Sequence, residues 1–268
     1  MMWKIKTASE IEKMRESNRL LGLMLDELAG SIRPGMSARD LDDHAGRILE
    51  SFGVPSNFKG YEGFPANICV SVNDRVVHGI PTKDTVFSDG DIVSVDAGLI
   101  YEGYHSDAAR TFPVGEISPE VRRLIEVTER AFFEGIAKAV PGNRIRDISA
   151  AIGACADRNG IGIVRELTGH GIGTSLHEKP FVPNYPGKIF TGKLKAGMTA
   201  AIEPIFTLGR PDIEYNEDEW TIQTQDGSWA AHYENTILIT DGCPEILSMG
   251  ERERERTAEY EKILCESR

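Results

Sequence analysis

The chain has 268 residues, with 42 acidic against 30 basic side chains and a formal net charge of -12. That balance speaks against nucleic acid as a main partner, since phosphate binding needs a basic surface, and no apolar run approaches the roughly 18 residues that span a bilayer. Cys69, Cys155, Cys243 and Cys265 show no C-x-x-C spacing, which speaks against a zinc knuckle or a disulfide scaffold. The length suits one large α/β or α+β unit. Met1-Met2-Trp3-Lys4-Ile5-Lys6 runs straight into Glu10, Glu12 and Lys13 without the apolar core of a signal peptide, so a cytoplasmic location is expected.

Ala8 to Ile32 carries Ile11, Met14, Leu20, Leu21, Met24, Leu25 and Leu28 at near-helical spacing. Ser9 with Glu12 resembles a capping box, and Arg33-Pro34-Gly35 ends the run. A second helix is expected from about Ser37, a good N-cap, to Phe52, with Gly53 as its stop. A strand from Ala66 to Val72 and a loop carrying Val77-His78-Gly79-Ile80-Pro81 follow. Asp91 to Asp107 reads as two strands, Gly98 and Gly103 punctuating them. Further helices are expected over Ser118 to Val140 and Arg144 to Arg158, then short strands and glycine-rich loops from Ile161 to Ile239.

Aspartate is a poor strand former, so Asp96 at a strand end and Asp107 inside the neighbouring strand need a reason. In a hairpin both carboxylates could lie on one side of the sheet, where they repel unless a cation lies between them. The plain alternative is a turn residue and a solvated edge. A second pattern favours the site. Shifted by 107 positions, the second half of the chain overlays the first: Pro34-Gly35 on Pro141-Gly142, Arg39-Asp40-Leu41 on Arg146-Asp147-Ile148, Gly53 on Gly160, Gly90 on Gly197. In the same ungapped register Asp96 falls on Glu203. Internal repetition reports architecture, here two related α/β halves about a pseudo-two-fold axis, with a shared site near it.

Three further stretches supply donors. Gly169-His170-Gly171-Ile172-Gly173 places a histidine where backbones can approach closely. Ala200-Ala201-Ile202-Glu203-Pro204 ends a small-residue strand in an acid, and Glu234 precedes the apolar Asn235 to Ile239. Singly, His170 reads as a packed core histidine, Glu203 as a strand-end turn and Glu234 as an edge residue. Together Asp96, Asp107, His170, Glu203 and Glu234 suit a pair of divalent first-row metals better than Ca²⁺ or a thiolate site. Such a pair holds a water of lowered pKa between two ions.

The order Asp96, Asp107, Gly169-His170-Gly171-Ile172-Gly173, Leu176-His177-Glu178, Glu203-Pro204 and Glu234, with Val77-His78-Gly79-Ile80-Pro81 upstream, resembles the type I methionine aminopeptidases across roughly Ile5 to Met249. The resemblance implies the α+β pita-bread fold, with two pseudo-symmetric halves and a central antiparallel sheet covered by helices. It implies removal of N-terminal methionine from nascent proteins and Met-peptides when the second residue is small. The step would be attack of a metal-bridging hydroxide on the first peptide bond. The family's metal ligands fall on the five residues above. Glu203 would shuttle the proton, His177 would polarise the carbonyl, and His78 would steady the backbone or the tetrahedral intermediate. The methionine pocket would be walled by Phe58, Tyr61, Phe64, Cys69, Leu176 and Trp220. The chain departs from the family in having Leu176 where an aromatic is common, His232 where Gln is frequent and Glu62 where His is. The two ions could be Co, Mn, Fe, Zn or Ni, and a structural monovalent cation would sit by backbone groups near Asn73, Arg75 and Ala230. The resemblance further implies a monomer with transient ribosome contact at most, and no nucleic-acid or membrane partner.

An X-Pro peptidase on the same fold and a metal-free binding module are the competing readings. Neither the extra N-terminal domain usual in the first nor the loss of ligands usual in the second is present. Residues 1–250 would form one catalytic domain. Glu251-Arg252-Glu253-Arg254-Glu255-Arg256 would begin a charged C-terminal tail, 251–268, read as a solvated helix; its charges are opposite at i,i+3 and alike at i,i+4.

Overall fold

The computed structural model describes residues 3–187 and 192–264. The chain begins with two helices, α1 (Ala8–Ser31) and α2 (Ala38–Phe52), followed by strands β1 (Ile68–Val72), β2 (Arg75–Val77), β3 (Ile92–Tyr101) and β4 (Tyr104–Pro113). A second helix pair, α3 (Pro119–Ile136) and α4 (Ile145–Asn159), leads into β5 (Gly162–Ile163), β6 (Thr168–Gly171), β7 (Glu178–Pro183) and β8 (Thr199–Ile202). Then come β9 (Ile205–Thr207), β10 (Ile213–Tyr215), β11 (Ile222–Thr224), β12 (Ala230–His232), β13 (Asn235–Leu238), β14 (Glu245–Ile246) and α5 (Glu251–Glu261).

The helix pairs obey the 107-residue echo closely. α2 and α4 have equal length and coincide under the shift. Asp40 accepts the Ser37 N–H at 3.2 Å, and Asp147 accepts the Arg144 N–H at 2.7 Å. Gly53 and Gly160 close the two helices at φ 69° and 63°, the left-handed turn that glycine adopts without Cβ strain. Some boundaries differ from expectation. The cap of α1 is Thr7 with Glu10, not Ser9 with Glu12, because the helix already includes Ala8. α3 stops at Ile136, short of Val140, where the chain turns into the loop carrying Pro141.

Each helix pair covers one face of a sheet. Leu21, Met24, Leu28, Leu41 and Ile48 pack on Ile68, Val93, Val95 and Leu99 of the β1-β3-β4 sheet. In the second half Leu124, Phe132, Phe133, Ile148 and Ile152 pack with Ala200, Ile202, Phe206 and Ile237, where the sheet order is β14-β13-β8-β6-β7. Strand parity does the rest. With Val93, Val95, Ala97 and Leu99 in the helix-side core, Ser94, Asp96 and Gly98 must point to the other face.

The hairpin runs through Gly98 instead of breaking there, and it turns at Glu102-Gly103. Asp96 is therefore inside its strand. It pairs with Ala109, and Asp107 pairs with Gly98, so the two acids are diagonal neighbours on one face, not direct partners. A side chain at 98 would collide with Asn57 at 2.3 Å and the Ser106 carbonyl at 2.5 Å, which is why this strand carries a glycine beside Asp107.

The halves meet strand to strand. Ile92 faces Pro113 in the first sheet and Thr199 faces Leu238 in the second. The partner strands thus correspond at an offset of 125 positions, not 107, because the segment with β10 and β11, between the paired β9 and β12, stands where β3 and β4 have a tight turn. Under that correspondence Ala109 matches Glu234. Their backbones exchange two hydrogen bonds, Glu234 N–H to Ala109 at 2.9 Å and the reverse at 3.3 Å. The pseudo-two-fold axis passes there.

The expectation of a solvated tail fails on one face of α5. Glu253 and Thr257 are buried, with Glu253 held by the Arg110 guanidinium at 3.3 Å and by the Tyr233 hydroxyl at 2.6 Å. Arg256 pairs with Glu129 at 2.6 Å. Residues 265–268 of the expected tail lie outside those described.

Candidate metal centre

All thirteen residues expected at the site line one cavity of about 270 Å³ on the concave face of the sheets. Glu62, Val77, Leu167, Ile205 and His232 also line it. Leu167 and Ile205 went unmarked in the sequence, and Val77 stood there only as the first residue of a motif; nothing in their apolar type separates them from core.

The floor is acidic. Asp96 comes from β3, Asp107 from β4, His170 from β6, Glu203 from the end of β8, and Glu234 from the bend between β12 and β13. His170 Nε2 lies 3.6 Å from Asp107 Oδ2 and 3.7 Å from Glu203 Oε1. The other ring nitrogen, Nδ1, is 3.0 Å from the Gly171 carbonyl, an acceptor that puts the proton on Nδ1 and leaves Nε2 free as a donor atom. Donor atoms of Asp107, His170 and Glu234 lie within 4.8 Å of one another, and so do those of Asp96, His232 and Glu234.

The strands fix these side chains through close packing. A Cβ on Gly169 would meet the Ala201 carbonyl at 2.5 Å and one on Gly171 the Lys179 carbonyl at 2.9 Å, so the glycines flanking His170 let β6 lie between β7 and β8. Thr236 Oγ1 donates to the Asp107 carbonyl at 2.9 Å, and the Asn184 amide donates to the Glu203 carbonyl at 2.8 Å. Arg110, buried, donates to the Glu234 carbonyl and to Asn235 Oδ1, the latter at 2.6 Å. Nothing in the sequence marks Arg110 as different from any strand arginine.

Burial and mutual repulsion dominate the electrostatics. Burial pushes Asp107 up to about 8. Burial, then the Asp107 charge, raises Asp96 and Glu234 well above the carboxylate range, and Glu203 is raised by burial, Asp107 and Asp96. Asp96 and Glu203 keep a sliver of surface that faces the cavity. Burial pushes His170 down to about 4 and His232 to about 3. Asp96 Oδ1, Asp107 Oδ1, Glu234 Oε1 and both ring nitrogens of His232 have no hydrogen-bond partner. Buried polar atoms are normally satisfied, so oxygen-rich donors with unspent lone pairs and neutral imidazoles fit divalent cations well.

Above the floor the walls are apolar. Phe58, Phe64, Cys69 and Leu176 are buried and cluster with Trp220, whose ring meets Phe64 edge-on at 5.1 Å. Burial raises the Cys69 thiol well above its ordinary range, so it is a packed wall, not a nucleophile. His78 and His177 stand at the sides. His78 has a left-handed backbone at φ 58°, uncommon for a residue with a side chain and typical of functional sites. Its successor Gly79 leaves no room for more: a Cβ there would meet the Val70 carbonyl at 2.2 Å. His177 lies at the open edge, its Nδ1 2.9 Å from the Tyr61 hydroxyl and its ring 4.5 Å from that of His170. Burial lowers the pKa of both, His78 to about 4. Away from the cavity, the Ala230 N–H donates to the Asn73 carbonyl at 2.9 Å, so the segments named for a monovalent cation do adjoin.

Comparison with known proteins agrees with this geometry. Residues 12–241 match the model of metallopeptidase family M24. The chain is 49% identical over 249 residues to a methionine aminopeptidase of Clostridium acetobutylicum, covering 92% of this chain and 99% of that protein. It is 46% identical over 247 residues to that of Clostridium perfringens, covering 91% and 98%. The crystal structure of methionine aminopeptidase from Thermotoga maritima superposes with a TM-score of 0.90 at 42% identity, covering 92% of this chain and all of that one.

Proposed function

We infer the function from one premise: this chain belongs to metallopeptidase family M24. Within it the chain is a methionine aminopeptidase in sequence and fold, and its reaction is removal of N-terminal methionine from peptides and proteins by a metal-dependent aminopeptidase. The observation that carries the assignment of roles is the convergence of five donors on the floor of an apolar-walled slot.

Asp96, Asp107, His170, Glu203 and Glu234 would hold two divalent ions. When bound, these ions supply Lewis acidity at the scissile carbonyl and lower the pKa of a water. The chain's own residues do the rest. Phe58, Phe64, Cys69, Leu176, Trp220 and Tyr61 take the methionine side chain, an unbranched polarisable thioether suited to such a slot. Asp96 faces the substrate amine and orients it. Glu203 is the proton carrier: it lines the cavity 3.7 Å from His170 Nε2, where its carboxylate can accept a proton from the attacking water and pass it to the leaving amine. His177 is neutral, and with Tyr61 on Nδ1 its Nε2–H is free to donate to the carbonyl oxygen as charge builds there. His78, fixed by Gly79 against β1, steadies the peptide backbone.

The slot also sets selectivity: methionine first, and Gly, Ala or Ser second. We place the enzyme in the cytoplasm as a monomer acting on nascent chains, with transient ribosome contact and a monovalent cation near Asn73, Arg75 and Ala230. Among the described residues no helix is long and apolar enough to cross a membrane. The test is metal analysis beside peptide turnover. Two divalent ions per chain with release of methionine from Met-Ala peptides is the expected result. Cleavage of Ala-Pro peptides instead, or efficient release of Lys or Leu, would overturn it.

A further inference from the structure

His232 is a buried cavity residue whose chemistry the five-donor reading leaves unused. It ends β12 and is 2% exposed, and neither ring nitrogen has a hydrogen-bond partner. Its Nε2 lies 3.4 Å from Glu234 Oε2 and 4.0 Å from Glu203 Oε2. Donor atoms of Asp96, His232 and Glu234 come within 4.8 Å of one another, as do those of Asp107, His170 and Glu234. The two triads have the same make-up, one aspartate and one histidine each, and they share Glu234.

The backbone holds His232 in this position. Thr111 Oγ1 donates to the His232 carbonyl and accepts from its N–H, both at 2.9 Å. β12 is paired along its length with β9. The imidazole thus cannot reach solvent without breaking the contact between the two halves. A neutral imidazole carries one lone pair; the Glu234 and Glu203 carboxylates lie nearest Nε2, and His78 and Arg110 are the other titratable groups close to the ring. Were the ring merely packing, at least one nitrogen would be expected to find a protein partner, as buried polar groups do.

We propose that His232 is a metal ligand, its Nε2 completing the ion held by Asp96 and Glu234, so that each ion of the pair carries one imidazole. This rests on the two-metal reading above. Under that reading alone, the Asp96 ion would be bound by oxygen only, an environment that suits Mn²⁺ or Mg²⁺, whereas an imidazole favours Zn²⁺, Fe²⁺ or Ni²⁺. His232 would therefore shift the metal preference of that one position toward the borderline-soft ions and leave the His170 position unchanged.

A crystal structure of the Zn²⁺-loaded protein reads this directly, with Zn²⁺ and Mn²⁺ calorimetry on wild type and His232→Gln, whose amide has similar reach but poor affinity for these ions. The expected result is two ions, with His232 Nε2 about 2.0–2.1 Å from the one bound by Asp96. In His232→Gln one of the two Zn²⁺ sites should weaken by more than about 10-fold, the least that even an outer-shell loss costs, and the Mn²⁺ sites should weaken less. Two ions bound with the His232 nitrogens beyond about 3 Å of either, far outside Zn–N bonding distance, would overturn the proposal and leave the two-metal reading standing. A wild-type protein binding a single ion at Asp107, His170 and Glu234 would overturn both. The wild-type crystal decides the matter even if the variant does not fold.

Discussion

His170 and His177 lie edge to face, 4.5 Å apart between ring centroids, yet their hydrogen bonds give them different work. His170 spends Nδ1 on the Gly171 carbonyl and turns Nε2 toward Asp107 and Glu203. His177 is held through Nδ1 by Tyr61, at the open side. Removing a donor from the floor and removing one from the wall should therefore fail in different ways. Asp107→Ala should bind less metal and lose nearly all turnover; full activity with two ions bound would reject Asp107 as a ligand. His177→Ala should keep its metal and lose about 10²–10³-fold in rate. Because the contact strengthens only as charge develops, kcat and kcat/KM should fall together. A change in KM alone would make His177 a ground-state binding group, and loss of an ion would make it a ligand. Steady-state kinetics beside metal analysis separates these outcomes.

At the scale of elements, α5 is tied to the metal-binding strands through Arg110 and Tyr233. Arg110 reaches from β4 to the Glu234 carbonyl and Asn235 on one side and to Glu253 on the other, with its guanidinium 4.6 Å over the Tyr233 ring. Glu253→Ala would leave a buried guanidinium with its counter-charge removed, which typically costs about 3–5 kcal/mol. Urea unfolding should show an unfolding free energy lowered by that much; a loss below about 1 kcal/mol, the worth of an exposed pair, would mean the pair is solvated after all. The sequence could not disclose this tie. Glu251, Glu253 and Glu255 alternate with arginines identically, and only the helix phase relative to the body selects Glu253 for burial. α2 and α4, by contrast, were legible nearly to the residue, because a cap and a glycine stop are local chemistry. The hairpin was half legible: its composition announced two acids on one face, but their diagonal offset depends on a turn at Glu102-Gly103 that Gly98 disguised. The echo found Asp96 with Glu203 because β3 and β8 keep one register, and it missed the kinship of Ala109 with Glu234 because the inserted segment with β10 and β11 changes the offset.

Over the whole molecule, the crowding of acids and histidines makes the metal-free protein sensitive to pH with a definite sign. Asp107 is raised to about 8, and Asp96, Glu203 and Glu234 well above the usual range. Groups raised in this way stabilise the fold below their unfolded pKa of about 4, and that stability is lost as pH rises through the folded values. The buried histidines act oppositely. With His78 and His170 near 4 and His232 near 3, they add stability as pH rises, a gain that slows through about pH 6.5, the unfolded imidazole's own pKa, and is nearly complete by about pH 7.5. Between about pH 7.5 and 8.5 the carboxylates dominate the titration, so the melting temperature in chelator should fall across that window. Metal binding expels those protons, so the loaded protein should show no such fall. A chelated protein whose melting temperature is level or rising from about pH 7.5 to 8.5 would contradict the crowding described for the floor.

The donors also arrive in a fixed order as the chain is made. Asp96 and Asp107 leave the ribosome together on one hairpin, whereas Glu234 and the helix that anchors its strand follow more than a hundred residues later. At roughly 5–20 residues per second the interval is on the order of ten seconds. Through that time the early hairpin carries two acids without the strands that neutralise and cover them, and its concave face stays wet. Competence to cut therefore appears only when the last segments dock, so an unfinished copy of this protein is inert toward every amino terminus emerging around it, its own included.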